Sequence, residues 1–170
     1  FSHCAKELAG ETYQLLLEHG EEALALIGSG KDASLLEDCL CACLQVTGLI
    51  SAMACGGKQA AISHTLYSYF CNFHPQIVQQ FLHGEMVGSS LVYQLAANGA
   101  PREEQLHLED FLRRLKVPCC LQELGLTYSS ALSHELFSFL ETRMPVTSSQ
   151  ELARLRRLED ILFYGTAQGS

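Results

Sequence analysis

Two histidines, His64 and His83, are the residues of this chain best suited to chemistry. His64 closes Gly56-Gly57-Lys58-Gln59-Ala60-Ala61-Ile62-Ser63-His64, a glycine pair leading into an Ala-rich helical start. His83 opens His83-Gly84-Glu85-Met86-Val87-Gly88, directly ahead of a long amphipathic run. Neutral imidazoles brought together from two helices suit Zn²⁺ or Fe²⁺. The small side chains before His64 let helices approach closely, and Gly84 leaves room beside the second imidazole for a ligand or another backbone. Glu85 has two readings, a carboxylate orienting an imidazole through its second nitrogen or a first-turn anion favoured by the helix dipole. Two ligands do not complete a metal site, and the sequence offers no obvious third.

Other reactive side chains form weaker patterns. The chain has eight cysteines. On a helix Cys39 and Cys43 share a face while Cys41 points away, so Cys39, Cys41 and Cys43 do not converge on one ion. Without a C-x-x-C pair, zinc-ribbon and thioredoxin spacings are missing. Reduced thiols packed as small hydrophobes, in a cytoplasmic protein, are the expectation. Cys71 with His74 is poorly spaced for a nucleophile and base, and a structural Cys71 is the plainer reading. Gly28-Ser29-Gly30-Lys31 lacks the preceding strand of a phosphate loop and reads as an interhelical turn. No G-x-G-x-x-G and no G-x-S-x-G is present, so a nucleotide cradle and a serine nucleophile elbow are not recognisable.

The elements that must carry these residues are helices. At 170 residues, 48% hydrophobic and 18% charged, the chain has the size and composition of one globular domain, residues 1–170, with a sizeable core. Its formal charge of −8 argues against a nucleic-acid partner. Arg154, Arg156 and Arg157, its one basic concentration, fit the solvated side of a helix. No apolar stretch is expected to span a bilayer: Leu44 to Cys55 comes nearest, interrupted by Gln45 and Thr47. A signal peptide is not recognisable, and the absence of an initial Met reads as a piece of a longer gene product.

Apolar spacing predicts a helix over residues 2–18 closed by Gly20, then a short one over 21–27 stopped by Gly28-Ser29-Gly30. Asp32 or Ser34 caps a long helix with a stripe of Leu35, Leu36, Cys39, Leu40, Cys43 and Leu44. A helix carrying His64 ends or restarts at Pro75. One helix is expected over 84–98, stopped by Asn98-Gly99. Another, with Leu108, Phe111, Leu112 and Leu115, ends before Pro118. A turn at Leu124-Gly125-Leu126 leads into a helix over 129–141. Ser148-x-x-Glu151 reads as a capping box for a last helix lined by Leu152, Leu155, Leu158 and Leu162. Strand signals are nearly absent. The fold class is therefore an all-α bundle of about seven to nine helices.

Three segments together carry a family resemblance. His83-Gly84-Glu85-Met86-Val87-Gly88, the helix through Leu91 to Leu95, and Leu115-x-Val117-Pro118-x-x-Leu121-x-Glu123-Leu124-Gly125-Leu126 resemble the helical C-terminal half of the glycerol dehydrogenase family. That family belongs to the metal-dependent, iron-containing alcohol dehydrogenase superfamily. Met144-Pro145-Val146-Thr147 and the capped helix after it are similar to the family's final segment, so the likeness runs over roughly residues 4–165. Where a second histidine is often found three positions after the first, this chain has Tyr67.

The resemblance implies a dehydroquinate-synthase-like, glycerol-dehydrogenase C-terminal fold. It also implies a divalent metal, Zn or Fe, held in a cleft by an Asp near a domain junction and by two histidines matching His64 and His83. The Asp would lie upstream of Phe1, as would an N-terminal domain binding NAD(P). The implied whole is an NAD(P)-linked polyol or alcohol dehydrogenase whose metal polarises the substrate hydroxyl for hydride transfer, with this chain alone inactive. Its implied partners are that nucleotide-binding domain, a small polyol or alcohol, and other copies of itself in a homo-oligomer, with no membrane. A helical interaction module derived from the same family, and a metal-free scaffold with two structural histidines, are the other readings.

Overall fold

The computed structural model describes residues 3–53, 61–144 and 149–166. Described residues are helical almost throughout and contain no strand. Helices of seven residues or more are α1 (His3–Leu26), α2 (Ser34–Cys41), α3 (Thr47–Met53), α4 (Ile62–Phe73), α7 (Leu91–Ala97), α8 (Arg102–Arg114), α9 (Ser130–Arg143) and α10 (Ser149–Arg156). Shorter ones are α5 (Pro75–Val78), α6 (His83–Gly88) and α11 (Glu159–Tyr164). The all-α expectation holds. The chain divides into two compact units, residues 1–59 and 60–170.

The first unit is a helical hairpin. α1 runs unbroken through Gly20, where a stop was expected, because Gly20 keeps a helical φ. The positive φ values fall at Gly28 and Gly30, both +71°, and the turn forms there. An interior helical glycine costs about 1 kcal/mol relative to Ala, a loss that packing of Thr12, Leu17 and Ala23 offsets. Asp32 Oδ1 accepts the Ser34 N–H at 3.0 Å and opens α2. A π turn over Ala42–Val46 joins α2 to α3. Its wider winding changes which residues face α1: Cys39 and Ala42 are buried, whereas Leu40, Cys43 and Leu44 of the expected stripe are exposed.

The run Ser34–Met53 is long and apolar enough, by length and composition, to cross a membrane. The polar Gln45 and Thr47, from which an interruption was expected, lie within this run. Neither is charged, and both satisfy themselves within the helix: Thr47 Oγ1 donates to the Cys43 carbonyl, and Gln45 Oε1 accepts from the Cys41 thiol at 3.6 Å.

The second unit is built around α4. Leu66, Tyr69 and Phe70 on its inner face are fully buried with Met86, Tyr93, Leu121, Leu136, Phe137, Leu140, Leu162 and Phe163. Pro75 restarts the chain as α5, as expected. The helix expected over 84–98 is instead α6 and α7, separated at Ser89-Ser90. Both serines are buried, and their hydroxyls donate back to the Met86 and Val87 carbonyls at 2.8 and 3.2 Å. Such back-bonding competes with helix continuation. The last predicted helix likewise divides into α10 and α11 at Arg157-Leu158. Gly99 and Gly125 end their elements at positive φ, and Ser129 Oγ caps α9 by accepting the Leu132 N–H at 3.1 Å. The Ser148 half of the expected capping box, and Gly56-Gly57, lie outside the described residues.

Candidate functional site

His64 is the third residue of α4. With Leu66, Tyr69 and Phe70 committed to the core, the helical period turns His64, Tyr67, Ser68 and Cys71 to the opposite side. His64, Ser68 and Cys71 are exposed, and Tyr67 is half-buried against the core. The start of α4 is fixed from α7: Ala61 at the N-cap has no side-chain acceptor, and Gln94 Oε1 takes the Ser63 N–H at 3.1 Å.

His83 is the first residue of α6, which packs against α4. Met86, one turn on, is buried and anchors the helix in the core. Glu85 Oε2 accepts the Leu82 N–H at 2.7 Å, so this carboxylate closes the helix start. Of its two sequence readings, the first-turn anion is the one realised.

The two helices bring the imidazoles together. The ring centroids of His64 and His83 are 5.8 Å apart with the planes tilted by 54°. Two imidazoles bound to one tetrahedral ion, with N–metal distances near 2 Å, place their centroids about 5 Å apart, slightly closer than the spacing seen here. Both rings are exposed and open to an ion from solvent. Among the described residues no group of three or more His, Cys, Asp or Glu side chains surrounds a common point. The described residues thus supply two neighbouring imidazoles and no third ligand. The Tyr67 ring lies perpendicular to that of His83, with centroids 4.3 Å apart and planes at 88°.

The described cysteines carry free thiols. Cys39, Cys119 and Cys120 pack inside as expected, while Cys4, Cys41, Cys43 and Cys71 are exposed. Burial pushes the Cys119 thiol up to about 12, which makes it inert as a nucleophile. His74 does not serve Cys71. Its Nε2 lies 3.2 Å from the Tyr69 hydroxyl, which donates to Glu135 Oε1 at 2.6 Å. Since Tyr69 gives its proton to Glu135, His74 Nε2 carries the hydrogen toward Tyr69. Burial lowers the His74 pKa, with Glu135 opposing.

One buried charge went unread in the sequence. Glu109 is 4% exposed and accepts from Arg113 Nη2 at 2.7 Å, from the Thr166 N–H at 2.8 Å and from the Thr166 hydroxyl. Burial raises its carboxyl pKa, but the Thr166 and Arg113 hydrogen bonds outweigh this and hold it below the ordinary value. Arg113 also donates to Glu123 Oε1 at 2.7 Å, and Glu123 Oε2 accepts the Cys119 N–H at 2.8 Å. A carboxylate beside Leu108 and Leu112 on the apolar stripe of α8 was the available signal. This network ties α8 to the segment after α11.

No protein-family model and no curated protein matches the chain.

Proposed function

We propose that this chain is the helical, metal-binding part of an NAD(P)-linked polyol or alcohol dehydrogenase, with His64 and His83 as two ligands of a divalent cation, Zn or Fe. The observation that supports it is the 5.8 Å convergence of two exposed imidazoles that stand 19 positions apart in the sequence (83 minus 64). The motif resemblance supplies the chemistry. Held by His64 and His83, a divalent metal would supply Lewis-acid polarisation of an alcohol hydroxyl, the chemistry that favours hydride transfer to a nicotinamide.

The chain's own residues perform narrower tasks. α4 presents His64 and α6 presents His83. The core contacts of Leu66 and Met86 hold those two helices in place. On this reading the third ligand, an Asp, and the nicotinamide site belong to a nucleotide-binding domain. The chain by itself reduces no NAD⁺ with glycerol or other simple alcohols; turnover above background by the purified chain would overturn that part.

The metal claim is tested by Zn²⁺ titration of the whole chain beside His64→Ala and His83→Ala. Either replacement lowers affinity by at least about tenfold, the scale at which perturbed metal sites respond. Equal affinity in all three proteins would sink the proposal. The origin of the dehydrogenase assignment is checked separately, by reading the parent frame upstream for a glycine-rich nucleotide turn and a junction Asp.

A second reading, a helical interaction module of the same descent, is favoured by the apolar side chains left uncovered on Ser34–Met53. Leu40, Leu44 and Leu49 are 47%, 74% and 54% exposed. An unaltered Zn²⁺ titration in the histidine variants would favour that module.

A further inference from the structure

We propose that Tyr67 is a positioning residue for the imidazole pair: its ring, packed against the hydrophobic core, keeps His83 turned toward His64. Its role toward a bound ion rests on the metal-site reading above; its hold on the His83 ring does not.

His83 opens α6, so no preceding helical turn of its own confines its side chain, and the residue is exposed. An imidazole in that position samples several rotamers unless something beside it removes the choice. The nearest ring is Tyr67, 4.3 Å away and perpendicular at 88°. That is the edge-to-face arrangement favoured by aromatic quadrupoles. The His64 ring, by comparison, is 5.8 Å from His83 and tilted by 54°, a looser contact that leaves room between the two.

Tyr67 is suited to act as the fixed wall. His64, Tyr67 and Cys71 follow one another at i, i+3 and i+7 on α4, so they share a face. His64 and Cys71 on that face are exposed, whereas Tyr67 is half-buried and packed against the hydrophobic core. The phenol is thus held by the core, and its ring meets that of His83 at a right angle. A ligand whose ring is already oriented loses less freedom on binding, which raises affinity without adding a contact.

The test combines imidazole proton NMR with Zn²⁺ titration of the whole chain, using Tyr67→Phe, which keeps the ring, and Tyr67→Leu, which removes it. In the unsubstituted chain, cross-relaxation between the Tyr67 ring protons and the His83 ring C–H protons is expected. Tyr67→Phe retains that contact and binds Zn²⁺ within about twofold of the parent. Tyr67→Leu shifts the His83 resonances and weakens binding by about tenfold, the lower end for loss of a group that orients a metal ligand. Absence of the Tyr67–His83 contact in the unsubstituted chain overturns the proposal, whether or not Tyr67→Leu folds. So does a folded Tyr67→Leu protein with unchanged Zn²⁺ affinity. Zn²⁺ binding that His64→Ala leaves untouched sinks the dehydrogenase reading instead, and the ring contact is then decided by NMR alone.

Discussion

At the scale of single residues, the same helical arithmetic yields two different kinds of polar group. On the outward side of α4, His64, Tyr67 and Cys71 remain near solvent, where a ligand can reach them. On the inward side of α8, Glu109 is enclosed and answered by Arg113 and Thr166. The second arrangement is structural, and its removal is costly. Glu109→Gln leaves the Arg113 charge and two Thr166 donors poorly matched. Because the Arg113 side chain is 44% exposed and water recovers part of its charge, the loss falls short of the full cost of breaking a buried pair. A destabilisation of about 2–3 kcal/mol is expected in urea unfolding, with an unchanged midpoint as the contrary result. Gly165 belongs to the same network. It sits at φ +77°, and a Cβ there would lie 2.9 Å from Glu109 Oε1. The histidine pair was legible because imidazoles beside glycine and small residues stand out in any helical sequence. Glu109 was not, because a carboxylate at an i, i+4 distance from an arginine looks identical whether the pair is buried or solvated.

At the scale of elements, local signals were read correctly wherever the backbone itself enforced them. Pro75, Gly99, Gly125 and Ser129 mark real boundaries, each through a fixed φ, a left-handed φ or a capping hydroxyl. Gly20 and the 84–98 run were misread because tertiary packing decided them. α1 is carried across Gly20 by its contacts with α2 and α3. α6 ends at Gly88, whose missing side chain admits the 117–118 segment: a Cβ on Gly88 would lie 2.6 Å from Val117 Cγ1. Gly88→Ala is therefore expected to destabilise the protein by about 1–3 kcal/mol through overpacking. Pairing it with Val117→Ala recovers most of that loss. Thermal unfolding of the single and double variants checks this, and equal melting of Gly88→Ala and the parent would remove the packing explanation for the break. That break matters for the site because it frees α6 to lie along α4 as a separate short helix, with His83 at its first position.

For the molecule as a whole, acidity is the clearest lever on stability. His74 is held below its ordinary value of 6.5 and Glu109 below 4.5. In each case the unfolded chain binds more protons than the folded one between the two pKa values, so stability rises with pH. The contribution of His74 is complete above pH 6.5 and fades as pH falls below it; that of Glu109 fades below pH 4.5. The urea midpoint is expected to drop from pH 7 to pH 5, and His74→Gln to flatten that first segment; a midpoint independent of pH in the parent protein would contradict it. The fold class was readable from hydrophobic period alone, because helices announce themselves over a dozen residues. The completeness of the proposed metal site was not, since ligation depends on side chains that meet in space; His64 and His83 are the pair found 5.8 Å apart. Their shared use of one ion is the claim on which the proposed function stands. Crystals of the chain soaked in Zn²⁺ and measured at the zinc absorption edge test it most directly. The account predicts one anomalous peak about 2.0–2.1 Å from a ring nitrogen of each histidine. A peak on one imidazole alone, or none between them, would contradict it.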